Sequence, residues 1–437
     1  MDLKDKLISS FYAYEDHLQV TDQVHDVKVQ AIKDFETLGF PKKKEEAWKY
    51  TSLNKLLKQD YNLFAQVEDA LDYKEVKKYF IHEIDTYTIV FIDGVYASQL
   101  SSTTHDKIDA CLMSSAMEKE KYADLLEKYF NKIAPKSGLN ALNTAFARQG
   151  AFINIPKNTV ADKPIQIINF STGKENNLMI QPRNLIVVGE NAQVEIIERH
   201  QSLTENPVFT NSVTEIFVDK RGMLDFYKIQ NDTHHASLID NTFIKQMAET
   251  HCSVHTFSLG GALTRNNLEF YQKGEHSNSI LKGVTLIEGK QHVDHNTLVH
   301  HTQPNCESHQ DYKGIYDEKS VGVFNGKVLV EKIAQKINAY QSNNNILAHD
   351  DATINSKPQL EIFADDVACS HGCTIGQLDE EALFYLKSRG IPAKEARALL
   401  TYAFANNVLE SVKIGAIKKR INKLIANKLN VNLGFDL

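Results

Sequence analysis

The feature that most constrains the fold is a run of short β-rich segments that continues for about two hundred residues without a helical pattern. The run lies between about residues 151 and 366, and residues 213–218 (VTEIFV) are typical of it. Polar turns separate the segments, and the turns centred on Glu190, Lys220 and Thr250 follow one another at equal intervals along the chain. A period of this kind predicts stacked coils, that is, a parallel β-helix.

Two other all-β architectures also join short strands by tight turns, and both stay open as alternatives. They are a β-sandwich and a pair of cupin-like barrels. Residues 185–188 (LIVV) are apolar at every position, so a strand formed by them has both faces covered. Such a strand suits a stack whose sheets are packed on both sides. We therefore favour the β-helix.

The chain before this run begins with a helical pattern. Leu7, Phe11, Tyr14 and Leu18 recur at helical spacing, and mixed helical and strand patterns follow them. The single tryptophan, Trp48, lies in this region. We expect its large apolar ring to anchor the N-terminal helices onto the rest of the chain rather than to bind a ligand.

The chain after the β-rich run turns helical again. The acidic residues 379–381 suit the start of a helix, where negative side chains interact favourably with the helix dipole. Gly390 suits the end of that helix, and Pro392 follows shortly after it. The sequence therefore predicts a mainly β protein with helical ends. Its three domains are an N-terminal helical and mixed domain (1–150), a parallel β-helix core (151–366) and a C-terminal helical domain (367–437).

Charge and composition narrow the functional classes. A net charge of -7 and an isoelectric point near 6.2 argue against a nucleic-acid-binding protein, which usually carries a basic surplus. No stretch reaches the roughly 18 apolar residues of a membrane span, and residues 1–6 do not begin a signal peptide. Five cysteines, an odd number spread widely, indicate free thiols in a reducing cytoplasm. These residues are Cys111, Cys252, Cys306, Cys369 and Cys373.

Signatures of common enzymes are missing from the sequence, which contains no phosphate-binding loop, dinucleotide fingerprint or nucleophile elbow. Ten of the 17 histidines lie between His234 and His309, with Cys306 among them, and imidazole and thiolate ligate zinc or iron. A metal-dependent enzyme using this region of a β-barrel or cupin-like fold is therefore the alternative function. Strand geometry argues against it, because His292 and His295 would point to opposite faces.

A second candidate site is the segment Cys369-Ser370-His371-Gly372-Cys373, which follows the β-rich run. In an extended chain residues 369, 371 and 373 share a face, but successive members lie about 6.6 Å apart. One metal ion bound at about 2.0–2.3 Å needs its donors closer together than that. Three interpretations stay open. The chain bends at Gly372, the side chains are offered to a metal shared with another molecule, or the two cysteines are simply buried.

This segment and the motifs around it resemble the SufB/SufD family, the core of the SUF iron–sulfur cluster assembly system. The similar motifs span nearly the whole chain, and Cys-Ser-His-Gly is the form of the SufD branch, whereas the SufB branch usually has a glutamate-containing sequence there. The motifs are residues 46–51 (EAWKYT), 182–185 (PRNL), 260–261 (GG), 265–268 (RNNL), 324–327 (FNGK), 334–336 (AQK), 340–341 (YQ), 358–362 (PQLEI), 364–367 (ADDV), 369–372 (CSHG), 376–379 (GQLD) and 384–391 (FYLKSRGI).

The resemblance implies both a fold and a role. It implies a right-handed parallel β-helix between helical ends, in a non-catalytic subunit of a scaffold complex that builds and transfers nascent iron–sulfur clusters. Its partners would be SufB, paired through the β-helix, and the SufC ATPase, docked on the C-terminal helices. A second copy of the chain could take the place of SufB when the chain is alone. The cluster would be held transiently with SufB, and no tightly bound cofactor is expected.

The resemblance also implies site residues. His371 would be the ligand or gatekeeper of the cluster at the subunit interface, with Cys369 beside it. Cys373 departs from the family, which usually has alanine there. It either adds a donor or is a neutral exchange of small residues, and we favour the exchange. The residues expected to dock SufC are Phe384, Tyr385, Arg389, Arg397 and Phe404.

Overall fold

The computed structural model describes residues 2–16, 22–63, 71–102, 107–173 and 177–431. Leu18 of the N-terminal helical pattern lies outside these ranges. Within them no helix is both long enough and apolar enough to cross a membrane.

Three helices contribute to the apolar core of the N-terminal part. The Asp2 side chain accepts a hydrogen bond from the Asp5 backbone N–H and so caps the first of them. Leu7 and Phe11 of this helix are buried in one cluster with Phe35 of the second. The helices of this part are α1 (Leu3–Glu15), α2 (His25–Leu38), α3 (Tyr73–Val76), α4 (Met113–Glu118), α5 (Ala123–Tyr129) and α6 (Gly138–Ala145).

Trp48 anchors the N-terminal part onto the strands, as predicted. Its ring lies 3.9 Å from the guanidinium carbon of Arg265, which is a cation–π contact. Arg265 pairs with Asp294, and the Thr51 hydroxyl donates to the same carboxylate. The N-terminal motif and the strands beneath it thus share one buried polar contact.

A parallel β-helix forms the centre of the chain, in two ten-stranded sheets between which successive strands alternate from Arg183 onward. Met223 lies beside Gln193 of the preceding coil, and Val321 lies beside His292 in the same way. The β-helix prediction is therefore confirmed, and the sandwich and cupin-like alternatives are wrong. The strands are β1 (Tyr87–Ile92), β2 (Val95–Tyr96), β3 (Asp109–Leu112), β4 (Ala151–Ile155), β5 (Ile165–Ser171), β6 (Leu178–Ile180), β7 (Arg183–Val188), β8 (Gln193–Ser202), β9 (Val208–Val218), β10 (Met223–Gln230), β11 (Ala236–Gln246), β12 (His251–Ser258), β13 (Leu263–Gln272), β14 (Asn278–Ile287), β15 (His292–His301), β16 (Glu307–Tyr316), β17 (Val321–Val330), β18 (Ile337–Leu347), β19 (Thr353–Ile362) and β20 (Val367–Gly376).

Residues with a left-handed backbone conformation lie in the turns whose spacing indicated the repeat in the sequence. Asn191, Arg221 and Glu249 have φ angles of 55°, 58° and 60°, and each lies in a predicted turn. Asparagine adopts this conformation readily, whereas arginine and glutamate do so at a steric cost. The same turn geometry therefore recurs once per coil, and the stack imposes it on residues that would otherwise avoid it.

The stack extends beyond the predicted domain limits at both ends. β1 pairs with β5 and β3 pairs with β4, so strands from residues 1–150 belong to the two sheets. β20 pairs with β18 along its whole length and carries the stack to Gly376, past the limit at 366. β20 is the last strand of its sheet and is mostly exposed, so it lacks the apolar pattern of the inner strands.

Three helices follow the last strand, and two of them pack on the outer face of the stack. Val408 and Ile421 are buried in one cluster with Tyr227 of β10. Asp379 caps the first helix by accepting backbone N–H groups, and Gly390 follows that helix at a φ of 88°, as the sequence predicted. The helices are α7 (Glu380–Ser388), α8 (Ala393–Leu409) and α9 (Gly415–Lys428).

Side chains that point into the β-helix form columns with one residue per coil, about 4.8 Å apart. One column is apolar over several coils and becomes polar near the C-terminal end. Gln310 and Gln341 in this column are fully buried, whereas His371 is exposed because no further coil follows it. The column consists of Ile196, Phe226, Val254, Leu281, Gln310, Gln341 and His371.

Candidate functional site

Strand β20 places the predicted segment at the open end of the stack. One edge of β20 pairs with β18, and the other has no strand beside it among the described residues. Cys369, His371 and Cys373 occupy alternate positions and so share one face of this strand. The register places His371 beside Gln341 of the preceding coil.

Cys369 is the most buried of the three side chains. It is half-buried and packs against a cluster that contains Val328 and Ala364. Burial raises the pKa of the Cys369 thiol, and a hydrogen bond with the Ala339 backbone opposes that rise only in part. The thiol is therefore protonated at neutral pH in the free chain.

His371 and Cys373 are exposed at the end of the strand. The Cys373 Sγ lies 3.2 Å from Ser356 Oγ and donates to it. Ser356 in turn donates to Asn343 Oδ1 over 2.7 Å. The Cys373 thiol thus already has a partner within the chain, which favours its interpretation as an exchange of small residues over its interpretation as a ligand.

Two of the three interpretations of this segment are wrong. The pairing with β18 continues through Gly372 without a break, so the chain does not bend there to close a metal site. Cys373 is exposed, so the two cysteines are not a buried pair. The three donors lie in a row on one face of β20, and their sharing of a metal with another molecule stays a prediction.

A different group of side chains in the described ranges has the spacing of a metal site. Glu198, His200 and Asp240 are buried in the lumen, and one ligand atom of each lies within 4.8 Å of the others. Lys228 Nζ stands among them, 2.7 Å from Asp240 Oδ2 and 3.3 Å from Glu198 Oε2. An ammonium group therefore pairs with both carboxylates, and the group is an ion-pair network.

Burial and ion pairing shift the pKa values of this network in opposite directions. Burial alone would raise the pKa of Glu198, but Lys228 and His200 bring it well below its ordinary value. Burial would lower the pKa of Lys228, but Asp240 and Glu198 raise it. The pKa of His200 is raised in the same way, by Glu198 against burial. The network is therefore held in its charged form.

The sequence analysis did not predict this network, because the sequence pattern indicates it only weakly. Glu198 and Lys228 are adjacent in the stack because they occupy equivalent positions in successive coils. Asp240 comes from the opposite sheet. An acidic and a basic residue one period apart could have indicated the pair, but the third member requires the packing of the two sheets.

The histidine-rich region does not form a shared site. His292 points outward, with Nε2 3.0 Å from Thr51 Oγ1, whereas His295 is buried with Nε2 2.9 Å from Thr285 Oγ1. The two face opposite sides, as predicted. Where the structure describes the chain, none of these ten histidines joins a group of three possible metal ligands.

The residues expected to dock SufC divide between exposed and packed positions. Phe384 and Tyr385 of α7 are 72% and 56% exposed. The Arg389 guanidinium lies 5.2 Å from the Tyr385 ring, and Arg397 is exposed on α8. Phe404 is half-buried and packs against the stack, with a lysine ammonium of β16 at 4.6 Å from its ring.

The fold and the site together are those of a parallel β-helix protein whose last strand, open along one edge, carries imidazole and thiol groups in a row. Among the described residues they are not enclosed in a pocket with other metal ligands.

Comparison with known proteins identifies the family. The model for "SUF system FeS cluster assembly, SufBD core domain" matches residues 169–404, and that for "SufBD protein N-terminal region" matches residues 1–167. The chain is 32% identical to an iron–sulfur cluster assembly SufBD family protein of Synechocystis, over 89% of this chain and 88% of that protein. It is 28% identical to the iron–sulfur cluster assembly protein SufD of Escherichia coli, over 92% of each, and 28% identical to SufD of Bacillus subtilis, over 92% and 93%.

The chain therefore belongs to the SufBD family of the SUF iron–sulfur cluster assembly system. The resemblance drawn from the sequence motifs, including its likeness to SufD, is confirmed.

Proposed function

We propose that this chain is a non-catalytic subunit of a cytoplasmic scaffold complex that builds and transfers nascent iron–sulfur clusters. The observation that carries the proposal is strand β20, an uncapped edge that presents His371 and half-buried Cys369. Relatives named for cluster assembly match the chain almost from end to end, which supports the same role here. Five free cysteines suit a reducing compartment.

SufB would pair with this chain through the open end of the β-helix. β19 and β20 are the last strands of their sheets and have ten residues each. An exposed strand edge of that length invites pairing with another chain. Ile362, Phe363 and Ile375 are exposed apolar side chains at this end, and an interface would cover them. A second copy of the chain would use the same edges when SufB is absent.

The cluster is cargo of the complex rather than a resident cofactor of this chain. Imidazole and thiolate both ligate iron, so the donors on β20 fit the cargo. A thiol must lose its proton to ligate, and the raised pKa of Cys369 opposes that step until iron is near. A neutral imidazole ligates through its lone pair without such a step. We therefore assign the leading role to His371 and a supporting one to Cys369, with SufB supplying further ligands.

SufC would dock on the C-terminal helices, where Phe384 and Tyr385 of α7 form an exposed patch with Arg389, which directly follows this helix. Aromatic and arginine side chains dominate the binding energy of many interfaces. Arg397 on α8 is a further exposed contact. Phe404 would act indirectly, by holding α8 on the stack.

Replacement of His371 by alanine tests the site. We expect His371→Ala to lower the amounts of iron and acid-labile sulfide in the complex about tenfold or more, because the loss of even an indirect contact at a metal site lowers metal affinity by about that factor. The amounts of SufB and SufC that copurify should stay the same, because an exposed side chain contributes little to the fold. The measurement is anaerobic copurification, with iron, sulfide and subunits counted.

Two variants control that experiment. His309→Ala removes another exposed histidine from the same sheet, and Cys373→Ala restores the residue usual in the family. Both should keep wild-type amounts of iron and sulfide. Normal cluster formation by His371→Ala would show that His371 is not the ligand. Failure of the wild-type chain to copurify with SufB and SufC would contradict the scaffold proposal itself.

Replacement of Phe384 by alanine tests SufC docking. We expect Phe384→Ala to weaken SufC binding about 30-fold, the effect of losing an interfacial side chain worth about 2 kcal/mol. Binding to SufB should not change. Tyr50→Ala removes an exposed aromatic ring from the N-terminal part and should change neither affinity. Affinities measured by calorimetry check this, and unchanged SufC binding by Phe384→Ala would place the docking surface elsewhere.

A further inference from the structure

Gln341 occupies the position in its column of the stack that directly precedes His371. The two residues are register partners in neighbouring strands β18 and β20, in the column that runs through the lumen. Side chains at such positions are about 4.8 Å apart and within contact distance of each other. Gln341 is fully buried, whereas His371 is exposed. Gln341 is therefore the buried polar group nearest to the imidazole in this column.

The amide of Gln341 is held in one orientation from below. Its Nε2 donates to Gln310 Oε1 over 3.3 Å, and the same oxygen accepts the Thr297 hydroxyl over 2.7 Å. Because the amino end of the amide is engaged with the preceding coil, its carbonyl oxygen is the end left for another donor.

That carbonyl oxygen lacks a donor. Gln341 Oε1 is buried, and none of the described residues donates a hydrogen bond to it. Buried polar atoms are nearly always paired, since leaving one unpaired is unfavourable. The next position of the column is His371, whose ring carries an N–H group. The free acceptor and the free donor are thus neighbours in the stack.

A glycine on the opposite sheet makes room for this amide. A Cβ at Gly326 would lie 2.2 Å from Gln341 Nε2 and 2.7 Å from Phe324 Cζ. A larger residue at this position would therefore push the amide out of the column. Gly326 and Gln341 belong to two of the motifs that resemble the family, residues 324–327 and 340–341. A role of His371 as a ligand does not by itself explain these two motifs.

We infer that Gln341 is a positioning residue for His371. When the exposed imidazole rotates onto the stack, the Gln341 carbonyl oxygen accepts the N–H of one ring nitrogen and thereby turns the lone pair of the other nitrogen away from the stack, toward the cluster. Histidines that bind metals generally donate their second N–H to a carbonyl or carboxylate, which fixes tautomer and ring orientation. Gln341 itself does not touch the cluster. The inference rests on the proposed role of His371 as a ligand.

The test reads the tautomer of His371 by ¹⁵N NMR in the free full-length chain, with the signal assigned by its loss in His371→Ala. The wild type should show one tautomer. Gln341→Met keeps the shape of the side chain but removes the carbonyl, so His371 should become a mixture of tautomers. Gln341→Glu keeps an acceptor in place and should keep the single tautomer. In the complex, Gln341→Met should weaken iron binding about 10- to 100-fold.

Gln272→Met is the matched control. Gln272 is also fully buried with an unpaired Oε1, but it stands beside His301 on the other sheet. This variant should leave the tautomer of His371 unchanged. Gly326→Ala displaces the amide of Gln341 and should shift the tautomer as Gln341→Met does, which gives a second route if the Gln341 variants do not fold.

The outcomes separate this inference from the proposed function. An unchanged tautomer of His371 in Gln341→Met or Gly326→Ala would overturn the positioning role, whatever happens to the clusters. A mixed tautomer in Gln341→Glu would overturn it as well. A shifted tautomer with wild-type iron binding would support the positioning role and contradict the ligand role of His371.

Discussion

Replacement of Arg183 by methionine should lower the free energy of unfolding by about 3–5 kcal/mol, the usual effect of breaking a buried ion pair from one side. Arg183 is fully buried, and its guanidinium pairs with Glu215, which is fully buried as well. Burial lowers the pKa of Arg183, and Glu215 opposes that shift. The variant leaves the Glu215 carboxylate without its cation. Urea denaturation followed by circular dichroism measures the loss.

The effect is expected to be large because Glu215 also attaches the N-terminal part to the stack. Its carboxylate accepts the backbone N–H groups of Asn131, Ile133 and Ala134 over 2.6, 2.9 and 3.1 Å. Arg183 adds a hydrogen bond of 3.0 Å from Nη1 to Thr144 Oγ1 in α6. Loss of the arginine therefore leaves an unpaired buried charge where the N-terminal part meets the β-helix.

Arg221→Met is the matched control for this variant. Arg221 pairs with Glu190 over 2.6 Å, but both side chains are partly exposed, so we expect a loss below about 1 kcal/mol. Arg183→Lys should also be less stable than the wild type, because an ammonium group cannot match the planar, forked contacts of a guanidinium. Equal losses in Arg183→Met and Arg221→Met would show that the buried pair has no special role.

The coil architecture could be predicted from the sequence because each coil uses a similar number of residues and ends in a polar turn. The turns at Asn191 and Arg221 belong to successive coils, and both hold left-handed residues. The motif with Trp48 was correctly interpreted as a packing element, since a large apolar ring near a helical region has few other uses.

The columns inside the stack could not be predicted, because the coils differ slightly in length. Met223 pairs with His251, His251 with Asn278 and Asn278 with Glu307, and these three steps along the chain are unequal. A shift of one residue moves a side chain from the lumen to the outer face. The pairing of Gln341 with His371 therefore depends on exact coil lengths, and sequence spacing alone does not give them.

The end of the stack was placed too early for a related reason. Inner strands are covered on both sides and are rich in apolar residues, whereas β20 is covered on one side only. Its polar sequence from Val367 to Gly376 therefore looks like the end of the β-rich run, although it pairs with β18 throughout. A partner that covered β20 would account for such a sequence in a regular strand.

Lys228→Met is the second variant with a large expected effect, a loss of about 3–5 kcal/mol in the free energy of unfolding near pH 7.5. Lys228 Nζ lies between the buried carboxylates of Glu198 and Asp240 and also donates to Thr242 Oγ1 over 2.7 Å. Methionine fills similar space but carries no charge. Two carboxylates in the lumen then lose the cation that they share.

The loss caused by Lys228→Met should shrink in acid. In the wild type the pKa of Glu198 lies below its ordinary 4.5, so the network contributes stability above that pH and loses it as the pH falls through the lower folded-state value. In the variant only His200 is left to oppose the rise that burial causes in the pKa of Glu198. The carboxylate therefore takes up a proton at a higher pH than in the wild type, and the loss near pH 5 should be smaller than the loss near pH 7.5. Urea denaturation at both pH values measures the difference between the two chains.

Lys327→Met separates charge from packing in this comparison. Lys327 pairs with Glu361 over 2.7 Å at the surface, so its replacement should lower the free energy of unfolding by less than about 1 kcal/mol at either pH. A loss in Lys228→Met that is equal near pH 7.5 and pH 5 would mean that Lys228 stabilises the lumen through its hydrocarbon chain. A loss that shrinks in acid would mean that its ammonium group, paired with a carboxylate from each sheet, holds the two sheets of the stack together.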